Sequence, residues 1–384
     1  MVKAYAVIGA NYGDEGKGLV TNYLCHTAFS KNQKVVNILT NGGCQRGHTA
    51  YDKNGKRHVY SHFGSGYSYA DIYFSKFYMV NPMIFITEYV ELTEFNNIAN
   101  DNNSNIYIDK DCTLTTPYDM LINRAKENRR TKKHGSCGYG IWETVLRNDI
   151  CPLYWKDFLG KSKKEIEIII KDIRDNYFQT VLDEYNIQLT QIEQEIFYSD
   201  NTLLNYVSDI LAMQSIVKIK TLQSVIEDYD ILVFENAQGL LLDKDYDKWG
   251  TPTKTGLSYV IALLGNKPVT PFYVTRSYLT KHGNGDFPGE CNKEDINKDM
   301  FDQTNQPNKY QGSLRYGKFD KQLAKDLLNR IKQDATGYDF KIVVTHINEF
   351  ISPYLKFADY VSYNETEILA NLDIVVNSQN PLII

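Results

Sequence analysis

The sequence has no Cys-x-x-Cys pair. Its six cysteines, at positions 25, 44, 112, 137, 151 and 291, lie far apart and make no His/Cys cluster at zinc spacing. That pattern excludes a disulfide framework and a structural zinc site, and it fits buried thiols in a reducing compartment. An excess of basic charge is also missing: 42 Lys and Arg stand against 47 Asp and Glu, a net charge of −5. The chain as a whole offers no field for nucleic acid or an anionic membrane, so any anion site must be local. No apolar run is long enough to cross a bilayer, and the amino end enters a strand pattern directly, without the charged and apolar segments of a secretory leader. Internal repeats and low-complexity linkers are absent too. The expectation is a soluble cytoplasmic protein, and its 384 residues at 42% hydrophobic content suffice for a large core.

What is present reads as an α/β chain. KAYAVI has the character of a buried strand, and GKGLVTNYLCHTAF places Leu19, Tyr23, Leu24 and Ala28 at helical spacing. KVVNIL at 34–39 is a second strand, so the chain opens β-loop-α-β, the signature of a parallel sheet with crossover helices. DYDILVFENAQG at 228–239 and KIVVTHIN at 341–348 are further apolar runs that end in polar turns. Several strands therefore deliver polar residues to one edge, where open α/β sheets bind ligands. Residues 116–133 read as a helix with a basic carboxyl end, broken by HGSCGYG. From about 156 to 228 the periodicity is helical and the composition polar, a peripheral helical layer. The expected fold is one domain over 1–384: a large, mostly parallel central sheet with helices on both faces, that helical layer, and a P-loop-like nucleotide site.

The first loop, GANYGDEGKG, carries the chemistry. Glycines let backbone approach a ligand, and N–H groups at a helix start beside Lys17 form an anion site. The Walker pattern fails, because Asn11 stands where its first glycine belongs and Gly18 occupies the Ser/Thr position. G-x-G-x-x-G fails as well. Asp14 is the unusual member: a carboxylate repels phosphate unless it binds a metal or takes a proton. A plain alternative is that Asp14 and Glu15 are acids complementing a helix start.

GDEGKG at 13–18, followed by GGCQRGHT at 42–49, resembles the adenylosuccinate synthetase family. HGSCGYGI, FENAQGLLLD, TKHGNGDFPGE, QGSLRYGKFD and VVTHIN continue the order of that family's segments over most of the chain. The resemblance implies phosphorylation of the 6-oxygen of a 6-oxopurine nucleoside monophosphate by a nucleoside triphosphate with Mg2+, then displacement of that phosphate by L-aspartate. On this footing Asp14 is the base that takes the N1 proton and His48 stabilises the transferring phosphoryl. Gln238 bonds O6, and Lys17 neutralises phosphate. Gly13, Glu15, Gly16, Gly18, Gly47 and Thr49 belong to the nucleotide site, with Asp14 and the Gly47 carbonyl on the magnesium. Gln45, Ser136, Cys137, Thr253 and Arg315 fall in substrate-binding segments, Ser136 and Cys137 at the 5′-phosphate and Arg315 at the carboxylate of aspartate. The family's homodimer comes with the same resemblance.

Three departures bear on specificity. The guanine-reading Thr-Lys-x-Asp of the family is Thr345-His346-Ile347-Asn348 here. An amide both donates and accepts, so ATP or dATP competes with GTP as donor. The aspartate loop keeps only Arg315, and Gln45 replaces the family's asparagine. These features are similar to the viral branch that joins aspartate to dGMP, and retention of Asp14 leaves IMP and (d)GMP both open. Two other readings explain fewer motifs: a nucleotide-hydrolysing switch, which gives His48 and the FPGE turn no purpose, and a non-catalytic nucleotide sensor, which has little use for Asp14. His26, His58, His62 and His282 receive no role.

Overall fold

A computed structural model of the chain describes residues 2–95, 104–131, 135–246, 250–265, 267–300, 302, 304–305, 312–347, 349–350, 352–355 and 376–377. Among the described residues, nine strands form the central sheet. From edge to edge they are Val376–Asn377, Lys341–Thr345, Thr270–Arg276, Lys3–Gly9, Ile231–Glu235, Val35–Leu39, Asp71–Phe74, Ile106–Ile108 and Lys218–Ile219. Every neighbouring pair is parallel except the first, which is antiparallel. The inner strands are continuous apolar runs because both faces of a parallel sheet are covered. Val35–Leu39 and Ile231–Glu235 are buried at every position.

Alternation along these strands sorts the core. Val7, Val233, Val274 and Val343 pack beneath the helix Lys17–Ser30 through Leu19, Val20, Leu24 and Ala28. Their neighbours Ala6, Ile8, Leu232, Phe234, Tyr273 and Val344 face the helices Leu222–Asp228, Ser258–Leu264 and Lys321–Asp334. Helices thus cover both faces, as expected. The polar segment after position 156 is helical, with Lys163–Asp172, Gln179–Glu184, Gln191–Tyr198 and Asp200–Ile216. It buries Ile166, Ile170, Phe178, Phe197, Tyr206 and Ile210 against a core that reaches Phe74 and Ile108. Its end differs from the helical expectation, because Lys218–Ile219 joins the sheet edge next to Ile106–Ile108. The helix expected at 116–133 runs Pro117–Arg129, started by a Thr116/Asp119 capping box with proline in its first turn. No helix among the described residues is long and apolar enough to cross a membrane. All six cysteines are free, three of them buried.

His62, fully buried among Phe63, Phe74, Tyr78 and Phe85, accepts a hydrogen bond at Nε2 from the Asn81 N–H at 2.9 Å. Burial, then the Arg46 charge, pushes its pKa well below 6.5. The unfolded chain therefore binds the extra proton first. His62 stabilises fully above pH 6.5, and that stability is lost as pH falls toward the folded value. Urea unfolding of the wild type should weaken between pH 7.5 and 5 by up to about 1.4 kcal/mol per pH unit from this group. His62→Gln, which can still accept from Asn81, should show the flatter dependence.

Candidate active site

The parallel strands end together, and their carboxyl ends build the site. The loop after Lys3–Gly9 carries Asn11 to Gly16, and helix Lys17–Ser30 follows with its amino end at that loop. Gly9 is needed because a Cβ there would meet the Gln238 carbonyl at 2.3 Å, where the loop after Ile231–Glu235 crosses. Gly18 explains the missing Walker hydroxyl. A Cβ at that position would stand 2.7 Å from the Thr49 carbonyl and 3.0 Å from the His48 Cβ, so serine or threonine is excluded by the strand His48–Tyr51. Three non-glycine residues with left-handed backbone, Asp14, Gln238 and His346, each lie in the loop leaving one of three sheet strands. Such strain persists where the surroundings enforce it, and it clusters at functional sites.

A cavity of about 660 Å³ opens at this edge. Its wall brings together Gly13, Asp14, Lys17, Gln45, Gly47, His48, Ser136, Cys137 and Gln238, from segments up to 225 positions apart in the chain. The Gln45 Nε2 and the Gln238 Oε1 are buried without hydrogen-bond partners among the described residues. Each is a polar group that a bound ligand would satisfy. Ser136 and Cys137 lie at one end with Asn123, Lys126 and Arg130. The two cations come from the basic carboxyl end of helix Pro117–Arg129 and its flank, a signal visible in the sequence but not tied to phosphate.

His48 begins a hairpin strand, paired with Arg57–Tyr60, and its Nδ1 lies 2.6 Å from Glu235 Oε1. Glu235 is fully buried and accepts also from the Ser65 N–H at 3.0 Å, with Arg46 Nη1 at 3.7 Å. Burial favours the neutral acid, but the Arg46 charge and the His48 and Ser65 bonds outweigh it and bring the Glu235 pKa down to about 2. His48 itself is pushed down to about 4 by burial, against the pull of Glu235. At neutral pH the ring is neutral: Nδ1–H donates to Glu235 and Nε2 is the remaining acceptor. Donation from Nε2 requires a bound anion that raises this pKa.

Asp14 lines the cavity with its carboxyl partly exposed, and Oδ2 lies 2.9 Å from Nε2 of His282. Burial raises its pKa, and His282, Arg276 and Lys17 together overcome that, holding it well below the usual carboxylate range. The Arg276 guanidinium donates to the Asp14 carbonyl oxygen. Lys17 is almost wholly buried; burial lowers its pKa, opposed by Glu15, Asp14 and Glu235. Glu15 lies behind the loop, where its Oε1 accepts from the Asn11 N–H at 2.7 Å, and burial raises it to about 7. Gly16 and Gly18 likewise shape the turn behind the cavity wall.

Several expected residues are placed elsewhere. Thr253 is buried outside the lining, its hydroxyl 3.5 Å from that of Thr251, which with Pro252 does line the cavity. Thr49 is outside the lining and bonds Thr304 at 3.0 Å between hydroxyls. His346 is outside it as well, paired through Nδ1 with Glu349 at 3.0 Å. Asn348 lies outside the described residues. Arg315 is engaged by Glu290 in a two-point contact of 2.7 and 2.6 Å, and by the carbonyls of Gly283 and Gly285 at 3.1 and 3.0 Å. In this arrangement its guanidinium braces the loop that carries His282. Sequence reasoning missed Glu235, Arg46 and His282. Glu235 had one signal, a lone acid ending the apolar run ILVF.

The magnesium implied by the resemblance takes oxygen ligands, typically one or two carboxylates completed by phosphate and water. The Asp14 carboxylate and the exposed Gly47 backbone share the cavity wall, and no group of three or more His, Cys, Asp or Glu able to hold a metal occurs among the described residues. That donor set fits a phosphate-bound magnesium rather than a protein-caged ion.

Fold and cavity define a P-loop-like α/β nucleotide-binding protein. A sequence model of the adenylosuccinate synthetase family matches residues 6–332, so the chain belongs to that family. Adenylosuccinate synthetase of Wigglesworthia glossinidia brevipalpis is 30% identical over 308 residues, 77% of this chain and 67% of that protein. The Francisella philomiragia enzyme is 27% identical over 304 residues, 74% and 64% of the two chains. The chain thus spans about two thirds of the length of these curated relatives. Among solved structures, fully ligated adenylosuccinate synthetase from Plasmodium falciparum superposes with a TM-score of 0.63 at 20% identity, covering 90% of this chain and 77% of that one. Cyanophage S-2L succinoaminodeoxyadenylate synthetase, bound to dGMP and to dATP as an energy donor, gives 0.60 at 13% identity, covering 91% and 86%. Both likenesses concern the fold.

Proposed function

We propose that the protein is a carbon–nitrogen ligase of purine nucleotide synthesis. It uses a nucleoside triphosphate to phosphorylate O6 of IMP or (d)GMP and joins L-aspartate at C6. The observation that carries this reading is the convergence of Asp14, Lys17, His48 and Gln238 on one cavity wall. A hydrolysing switch needs the glycine loop and Lys17 but neither Asp14 nor Gln238 at a second ligand.

The residues divide the work by charge. Asp14 accepts the N1 proton, which turns O6 into a nucleophile, and Gln238 fixes the O6 edge. O6 attacks the γ-phosphorus, the P–O bond to the nucleoside diphosphate breaks, and Lys17 with the amino end of its helix neutralises the phosphates. His48 Nε2 meets the transferring group, held in place by Glu235. The aspartate amine then adds at C6, and the C6–O6 bond breaks to release inorganic phosphate. Asp14 and the Gly47 carbonyl would hold Mg2+, which supplies charge neutralisation of the triphosphate when bound. Ser136, Cys137, Lys126 and Arg130 receive the 5′-phosphate, and because Thr251 and Lys281 line the cavity and Arg315 does not, they are the candidates for the carboxylate of aspartate. The donor base, from ATP, dATP or GTP, would meet the end of the strand Lys341–Thr345 at His346. Trp142, Leu146 and Ile150 form an exposed apolar stripe along one helix, 45%, 39% and 76% accessible, and support a homodimer through that face. Water-soluble nucleotide substrates of this kind are in keeping with a cytoplasmic enzyme.

The test is to mix protein, Mg2+ and aspartate with IMP, GMP or dGMP against each donor, and to weigh the product. Phosphate release that requires both co-substrates, a succinylated nucleotide and a two-chain mass in solution are expected. Equal hydrolysis without monophosphate or aspartate would leave the switch reading standing instead.

A further inference from the structure

His282 is held in a closed circuit around Asp14. Its Nε2 faces two oxygens, Asp14 Oδ2 at 2.9 Å and Asn305 Oδ1 at 3.1 Å. The Asn305 amide is oriented by its own Nδ2–H, which donates to Asp302 Oδ2 at 2.8 Å, so the atom toward His282 is the acceptor. Asp302 in turn lies 3.5 Å from Arg276 Nη2, and Arg276 donates to the Asp14 carbonyl. Whatever its charge, His282 must carry a proton on Nε2, because both neighbours only accept. Asp14 therefore meets the cavity with Oδ2 already engaged and Oδ1 available. Arg315 fixes the same arrangement from behind by gripping the carbonyls of Gly283 and Gly285.

We infer that His282 is a specificity-determining residue, which by occupying Oδ2 of Asp14 fits the site to a purine with one N–H on its Asp14-facing edge and against one with two. The inference rests on the ligase reading, in which N1–H faces Asp14. Hypoxanthine offers a single donor there, and Oδ1 suffices for it. Guanine presents N1–H and the 2-amino group side by side, a pair that matches both carboxylate oxygens at once. With the imidazole N–H already on Oδ2, the amino group must share that oxygen with His282 or crowd it aside, so guanine's second donor is paired less well than on an open carboxylate, and a poorly paired buried donor weakens binding.

Calorimetric titration with IMP and GMP, without donor nucleotide or aspartate, reads this apart from turnover. The wild type should bind IMP roughly 10-fold or more tightly than GMP. His282→Ala should bring that ratio close to one, mainly through tighter GMP. His282→Gln, whose amide N–H can still donate to Oδ2, should keep the wild-type preference, which guards against a merely structural effect of the alanine. A wild type that prefers GMP, or an unchanged ratio in His282→Ala, overturns the inference and leaves the ligase reading intact. Failure of every form to bind either monophosphate overturns both.

Discussion

Asp14→Asn should lower the rate of ligation by about 10³-fold or more, since it removes the group that takes the N1 proton. The fold should tolerate it. Position 14 has left-handed backbone with φ 55°, a conformation that asparagine adopts more readily than other side chains apart from glycine. The Arg276 bond to the carbonyl of residue 14 involves main chain and survives the change. Donor nucleotide should still bind when titrated without Mg2+, because Lys17 and the helix amino end are untouched and only the proposed magnesium ligand is altered. Loss of activity together with loss of nucleotide affinity would assign Asp14 to binding alone. Full activity in the variant would remove it from the chemistry.

The second large effect is expected at Glu235. Its carboxylate has no solvent exposure and joins His48, Ser65 and Arg46 at the end of a central strand. Glu235→Ala leaves a buried guanidinium and two donors without their acceptor, a loss of about 3–5 kcal/mol by analogy with broken buried pairs. The sign with pH follows from its position. The folded carboxyl titrates at about 2, below its ordinary 4.5, so its stabilisation is present above pH 4.5 and is lost as pH falls toward 2. Urea unfolding at pH 7 should therefore show the full deficit of the variant. Unfolding near pH 3 should show a smaller one. Activity should fall further than stability accounts for, since His48 loses the partner that fixes its ring. A variant as stable as the wild type at pH 7 would contradict the buried-ion account.

Much of the scaffold was legible because it depends on local pattern. KAYAVI, VVNIL, ILVF and KIVVT are apolar runs of strand length, and a strand buried on both faces has no other signature. The glycine loop and the helix after it could be placed to within a residue or two. Strand order could not, because pairing joins segments such as Lys3–Gly9 and Thr270–Arg276 that share no local signal. The site divides in the same way. Asp14, Lys17, His48 and Gln238 stood out through motif and glycine context, and the fold gathers all four. Glu235 and His48 are 187 positions apart, and their 2.6 Å contact exists only once the hairpin His48–Tyr51 is laid over the strand end. His282 meets Asp14 across a still longer separation, in a loop whose Gly283 and Gly285 carbonyls accept from Arg315. For Arg315 the sequence shows a cation suited to a substrate carboxylate and hides Glu290, its partner across a small antiparallel sheet.

The central claim is that the purine O6 becomes the phosphoryl acceptor inside the Asp14 cavity, and the fate of that oxygen tests it most directly. Substrate monophosphate carrying ¹⁸O at the 6-position is turned over with aspartate and donor nucleotide, and the released inorganic phosphate is weighed. One ¹⁸O atom in each phosphate is the expected result, because the C6–O6 bond breaks after O6 has been phosphorylated. Unlabelled phosphate, with the heavy oxygen left on the purine or lost to water, would contradict it.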